Sequence, residues 1–224
     1  MIPILFETDD MIAIDKPEGV ASIPTRTKGE ETILSLLSEQ VKSRLFIVHR
    51  LDREVSGVML FAKTAPIHKH LNGLFFNRAV KKTYTLLAQG LFAGDGGVID
   101  KPLRQFGSGR MGVDETTGKE SITKYEVLDR KGEYSLVNAY PRTGRRHQIR
   151  VHLYSVGHPI AGDKRYGDES KRVALPRLML HASRIVFSLP SGELKTVVSP
   201  LPLSFTSVLS GLGWDEEALR GKLL

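Results

Sequence analysis

Short apolar runs bounded by turn residues dominate the hydrophobic pattern of this chain, and helical spacing is confined to a few stretches. Residues 4–6 and 11–14 read as two strands around an Asp9-Asp10 turn, after which Lys16-Pro17-Glu18-Gly19 breaks the pattern. Ile33, Leu34, Leu37 and Val41 recur as one face of a short amphipathic helix. A second helix is expected from near Pro66, with Ile67, Leu71, Leu74 and Phe75 on one face. Between them, Phe46–Val48 and Val58–Phe61 are strand-like runs on either side of a polar loop. Val80–Ala88 reads as a strand with Lys82, Tyr84 and Leu86 on one side. Residues 94–121, rich in glycine and polar groups, read as an exposed loop. Thr123–Leu128 and Tyr134–Tyr140 alternate about Lys131-Gly132-Glu133, as an antiparallel hairpin does. Over 141–159 the pattern predicts a helix with Ile149, Leu153 and Val156 as its apolar stripe, Arg146 and Arg150 together on its flank, and Gly157 and Pro159 ending it. A turn-rich basic loop over 160–167 and a buried strand over Leu178–Phe187 follow. After Ser199 the tail shows two prolines and a short helix-like piece from Asp215. The tally is about nine strands and three or four helices in what reads as one domain.

The formal net charge of +7 points to an anionic partner, and residues 142–172 hold eight Lys or Arg against three acids, or +5 of that +7. Tyr, His and Gly are mixed into this segment, so it does not read as a disordered tail. With no cysteine there is neither a disulfide framework nor a thiolate metal site, which fits a reducing compartment. The first apolar run is too short for a signal peptide or membrane span, so a soluble cytoplasmic protein is expected.

The loop His49-Arg50-Leu51-Asp52-Arg53-Glu54 is held between two strand-like runs, with Ser56-Gly57 as turn residues before the second. Arg50 and Arg53 flank Asp52 and favour its ionised form. From this stretch alone, a catalytic carboxylate and a surface turn with an Arg–Asp pair are both open. Metal binding is not supported: His147 and His152 are five apart, His68 and His70 two apart, and neither pair has the Glu of a zincin helix. Gly107-Ser108-Gly109-Arg110-Met111-Gly112 matches a dinucleotide-binding pattern formally, but no helical periodicity follows it. There is no P-loop and no nucleophile elbow. One Asp between arginines, one Tyr beside lysines and one Arg-rich helix remain, a set suited to an anionic substrate without metal or cofactor.

Taken together, His49-Arg50-Leu51-Asp52 with Ser56-Gly57, Lys82-Thr83-Tyr84, the run from Thr143 to Leu153, His158-Pro159-Ile160-Ala161-Gly162-Asp163 and Leu180-His181-Ala182 resemble the motif set of the RluA-type pseudouridine synthases, in the family's order. Val55 departs from it, standing where the family usually has Thr. The resemblance implies an α+β fold, with a long mixed and mostly antiparallel sheet, flanking helices and a central cleft. It implies that Asp52 is the nucleophile in isomerising uridine to pseudouridine, that Tyr84 lies against the uracil, that Arg150 pairs with Asp52, and that Arg50 fills the space of the flipped uridine. Leu180 is then expected in the uracil pocket, with RNA contacts from His49, Arg50, Arg53, Lys82, Arg145, Arg146, His147, Gln148, Lys164 and Arg165. The expectation is a single catalytic domain over 1–224 without the amino-terminal S4 domain of many relatives, monomeric and acting on a stem-loop of ribosomal RNA or tRNA. A non-catalytic RNA-binding domain of the same fold is the alternative.

Overall fold

A computed structural model of the chain describes residues 1–24, 29–167, 175–215 and 221. Twelve strands and four helices lie among them, in two compact units. The first comprises Met1–Lys82 with Ala182–Pro200, and the second Thr83–His181 with Leu201–Leu224.

In the first unit β1 (Ile4–Glu7) turns through Thr8, whose hydroxyl takes the Asp10 and Met11 N–H groups, into β2 (Met11–Lys16). β2 pairs along β4 (Ser56–Ala62), and the short β3 (Phe46–Ile47) pairs with the end of β4. β4 is buried from end to end, as its continuous run Val58-Met59-Leu60-Phe61-Ala62 requires of a strand covered on both faces. Beside it lies β11 (Leu180–Ser188), which pairs with β12 (Leu194–Val198). At Gly57 (φ +113°) a Cβ would collide with the Ala182 carbonyl, so the close approach of β4 to β11 demands glycine. Helix α1 (Ile33–Val41) starts at a Thr32–Ser35 capping box. Helix α2 (Ala65–Phe76) has Pro66 in its first turn and lays Ile67 and Leu71 on a core of Met11, Ala13, Val58, Leu60, Ile185 and Phe187.

In the second unit β5 (Lys81–Gln89, from Thr83 onward), β10 (Tyr134–Pro141), β9 (Ile122–Lys131) and β6 (Gly96–Asp100) lie side by side. The β9–β10 turn has Gly132 at φ +56°, as the hairpin reading expects. The exposed loop expected over 94–121 is corrected. It contains β6 and a separate hairpin of β7 (Leu103–Gln105) and β8 (Met111–Val113). Glycine in β6 hides the strand signal but suits the pairing, because a Cβ at Gly97 would come within 2.8 Å of the Tyr125 hydroxyl and 3.0 Å of its ring. The β1–β2, β2–β4, β3–β4, β5–β10, β6–β9, β7–β8, β9–β10 and β11–β12 pairings are antiparallel, and with the helices that cover the strands this is the expected α+β class.

The helix expected over 141–159 is also corrected. α3 covers only Gln148–Ser155, and Arg146 is exposed ahead of it, so Arg146 and Arg150 do not share a flank. Residues 148–153 are buried in succession, whereas Val156 of the expected stripe is exposed. The second unit also contains α4 (Leu203–Gly211), unforeseen because Pro200 and Pro202 read as breakers, although Pro202 is the residue that opens it. Most of the helix-like piece expected from Asp215, residues 25–28, and Lys171 and Arg172 of the basic segment lie outside the described residues.

Candidate active site

The loop carrying Asp52 is fastened from beneath. Period-two alternation in β2 continues the face of Ile12 and Ile14 to Lys16, whose side chain is fully buried. Its ammonium donates to the carbonyls of Pro17 (2.8 Å), Arg53 (3.0 Å) and Val55 (2.8 Å), so the buried cation neutralises a cluster of backbone dipoles on both sides of the loop. Ser22 adds a second fastening: its hydroxyl donates to Leu51 O (2.7 Å) and accepts from Leu51 N (3.2 Å). Gly19 N–H meets Arg53 O at 2.9 Å. Asp52 therefore stands half-buried on a segment whose carbonyls on either side, Leu51 O and Arg53 O, are both held. Neither Lys16 nor Ser22 is among the residues singled out from the sequence.

Around this loop, Arg53 is exposed and forms an ion pair with Glu30, and Arg50 is exposed. His49 stacks on Phe75 with ring centroids 4.8 Å apart, and its Nε2 accepts the Leu60 N–H at 2.9 Å. Burial first, and the Lys82 charge second, push its imidazole down to about 3, so it is neutral and its proton sits on Nδ1. Burial also lowers the Lys82 amine to about 8. His49 thus enters the site as a neutral ring braced by Phe75 and Leu60.

In the second unit Tyr84 is half-buried on β5 opposite Ala139 of β10, and Leu180 is buried. Arg150 is 3% exposed and grips Asp163 through both ends of its guanidinium, Nε–Oδ2 at 2.7 Å and Nη2–Oδ1 at 2.8 Å. Asp163 Oδ1 also accepts the Arg165 N–H at 2.8 Å and the Tyr166 N–H at 3.1 Å. The buried Tyr166 ring lies 5.2 Å from the Arg150 guanidinium carbon, and its hydroxyl takes the Met111 N–H and bonds His147 Nδ1 at 2.8 Å. Asp163 and Tyr166 were not assigned roles from the sequence; one buried acid in an otherwise basic loop was the available signal.

Gln148, expected to meet RNA, is buried with all its amide positions engaged. It accepts from Thr143 Oγ1 and Arg145 N, and donates to Ile122 O and Thr123 Oγ1. It organises the turn that leads into α3. Arg145 is half-exposed, its Nε on Glu120 O; Lys164 and Arg165 are exposed, and Arg165 donates to Gly109 O. No group of three potential metal ligands occurs among the described residues, and none of their helices is long and apolar enough to cross a membrane.

A family model described as RNA pseudouridylate synthase matches residues 10–155, which include the Asp52 loop, Tyr84 and Arg150. The ribosomal large subunit pseudouridine synthase C of Vibrio parahaemolyticus is 36% identical over 216 residues, covering 93% of this chain and 69% of its own. The tRNA pseudouridine synthase C of Pasteurella multocida is 32% identical over 242 residues, covering 98% of this chain and 99% of its own. Among solved structures, human RNA pseudouridylate synthase domain containing 1 superposes with a TM-score of 0.81 at 26% identity, over 100% of this chain and 94% of that one. The chain belongs to the RNA pseudouridylate synthase family. It is an RNA pseudouridine synthase, an isomerase, and a purely RNA-binding reading is not favoured.

Proposed function

We propose that Asp52 is the nucleophilic carboxylate, that Tyr84 lies against the uracil, that Arg150 supplies the opposing charge, and that the two units work as one catalytic domain. The observation that carries this is the half-buried Asp52 on a loop fastened by the buried Lys16 and by Ser22: a carboxylate held this firmly is pre-organised for attack. The reaction breaks the C1′–N1 bond of a uridine, joins C1′ to C5, and moves the C5 proton away while N1 gains one. No net oxidation or reduction occurs, so neither metal nor cofactor is needed. The uridine has to leave its stack first, at a cost of a few kcal/mol that basic contacts offset. Arg50, Arg53, Lys82, Arg145, Arg146, His147, Lys164 and Arg165 are the contacts we assign to RNA, and Leu180 to the uracil pocket. The target is an unpaired or readily flipped uridine in a stem-loop of ribosomal RNA or tRNA, and the enzyme acts as a cytoplasmic monomer.

Asp52→Asn and Asp52→Ala test this together with mapping of pseudouridines in total RNA from cells with and without the gene. The expected outcome is loss of the same sites in the deletion and in both variants, with the fold intact. Pseudouridine persisting in Asp52→Ala would refute the nucleophile assignment, and losses confined to continuous helices would refute the stem-loop target.

A further inference from the structure

The tip of the β7–β8 hairpin has features that uridine isomerisation itself does not use. Phe106 leaves 39% of its surface exposed where the chain turns, in a turn closed by Phe106 N–H to Arg110 O at 2.9 Å and Gly109 N–H to Phe106 O at 2.8 Å. The ring is nonetheless held in place. It lies against Gly112, where a Cβ would come within 2.8 Å of the ring edge, and the Arg104 guanidinium carbon is 4.5 Å from its centroid. Arg104 and Gly112 face one another across the hairpin, and Arg104 is fixed by Asp114 at 2.8 Å. Asp114 in turn accepts from the backbone and hydroxyl groups of Thr116 and Thr117. Nearby, the exposed Arg110 lies 5.2 Å from the Tyr166 ring and 5.7 Å from that of Tyr154, itself 43% exposed.

Rigid exposed rings set among cations are what a single strand of nucleic acid needs: a face on which a base stacks, and charge for the backbone beside it. An acidic protein surface would call for the cations but not for a fixed, open ring. Resting on the reading of the chain as an RNA-modifying enzyme, we propose that Phe106 and Arg104 form a stacking platform for an unpaired base of the RNA, with Arg110 and Tyr154 beside it. All four residues belong to the second unit.

The test is equilibrium binding of the full chain to oligocytidylate, which offers no uridine to be modified, and to duplex RNA. Phe106→Leu keeps an apolar side chain but removes the π face. It should weaken single-strand binding about tenfold while leaving duplex binding and melting temperature unchanged. Phe106→Tyr should restore single-strand affinity. Oligocytidylate binding unchanged in Phe106→Leu would overturn the platform and point to a protein partner for the ring. Equal loss on both RNAs would overturn it too, since that marks a general effect on charge or fold. These outcomes score the platform even if the wild-type chain forms no pseudouridine, a result that would instead sink the catalytic reading.

Discussion

Replacing Lys16 with methionine removes one buried ammonium and leaves its stem in place, which makes it the sharpest probe of the Asp52 loop. The three carbonyls of Pro17, Arg53 and Val55 lose their charged donor. Hydrogen bonds to a charged group contribute about 1.5–3 kcal/mol each. Against this, the several kcal/mol needed to keep an ammonium out of water are recovered when the charge is gone. The net expectation is destabilisation of about 2–4 kcal/mol, which for a chain of this size is roughly 10 °C in melting temperature. Loosening the loop should also slow the chemistry more than it weakens binding. Lys16 is fully buried and meets no RNA, whereas displacing a reacting group by about 1 Å can cost 10²-fold in rate. Thermal unfolding and single-turnover pseudouridine formation in saturating RNA measure the two effects separately. A Lys16→Met enzyme with wild-type melting and wild-type single-turnover rate would show that the loop does not depend on this cation.

The Arg150–Asp163 pair gives a second stability test. Arg150→Ala strands a fully buried carboxylate and should cost on the order of 3–5 kcal/mol together with activity; Arg150→Lys should fail to rescue it because it lacks the two-pronged geometry, and unchanged melting would contradict the pair's importance. RNA affinity should fall steeply with salt, and charge reversal at Arg145 or Lys164 should weaken unrelated RNAs about equally; a flat salt dependence would remove the electrostatic argument. Lys82, with its amine lowered to about 8 by burial, is strained by its own charge below that pH, so its contribution to stability rises between pH 8 and 10.5. Lys82→Met should therefore stabilise the fold at pH 7 by about 1 kcal/mol once water around the half-buried amine is allowed for, raising the melting temperature by about 2–4 °C, while weakening RNA binding; a lower melting temperature would refute this. Neutral His49, lowered to about 3, stabilises the fold above its ordinary value of 6.5 and loses that contribution as pH falls from 6.5 towards 3. His49→Gln should flatten that acid limb in a pH series of denaturation midpoints.

The strands about Asp52 were legible because β2 and β4 carry local signals strong enough to stand alone: short continuous apolar runs, Met11–Ile14 in one and Val58–Ala62 in the other, each bounded by turn or polar residues. The β9–β10 hairpin announced itself in the same way through Lys131-Gly132-Glu133. What stayed hidden depended on partners remote in sequence. Lys16 reads as the start of a break before Pro17, and its meaning appears only when carbonyls 37 and 39 residues away are brought to it. Asp163 was visible as a residue but not as the counter-charge of Arg150. β6 has too much glycine to look like a strand, and tertiary pairing overrides that weak propensity. Helical periodicity placed Arg146 beside Arg150 because it could not show that the buried Gln148 network delays the first turn of α3.

The first unit is assembled from two stretches of chain that the synthesis of 99 intervening residues keeps apart, since Met1–Lys82 is completed by Ala182–Pro200. Until β11 and β12 leave the ribosome, the apolar face made by Met11, Val58, Leu60, Ile67 and Leu71 lacks Ile185, Phe187 and Val197 to close over it. The nascent protein therefore carries an open hydrophobic surface while residues 72–184 are made, and closing so long a loop comes late in folding. That interval is where the unfinished β2–β4 face is open to aggregation, and where a chaperone able to cover it would act.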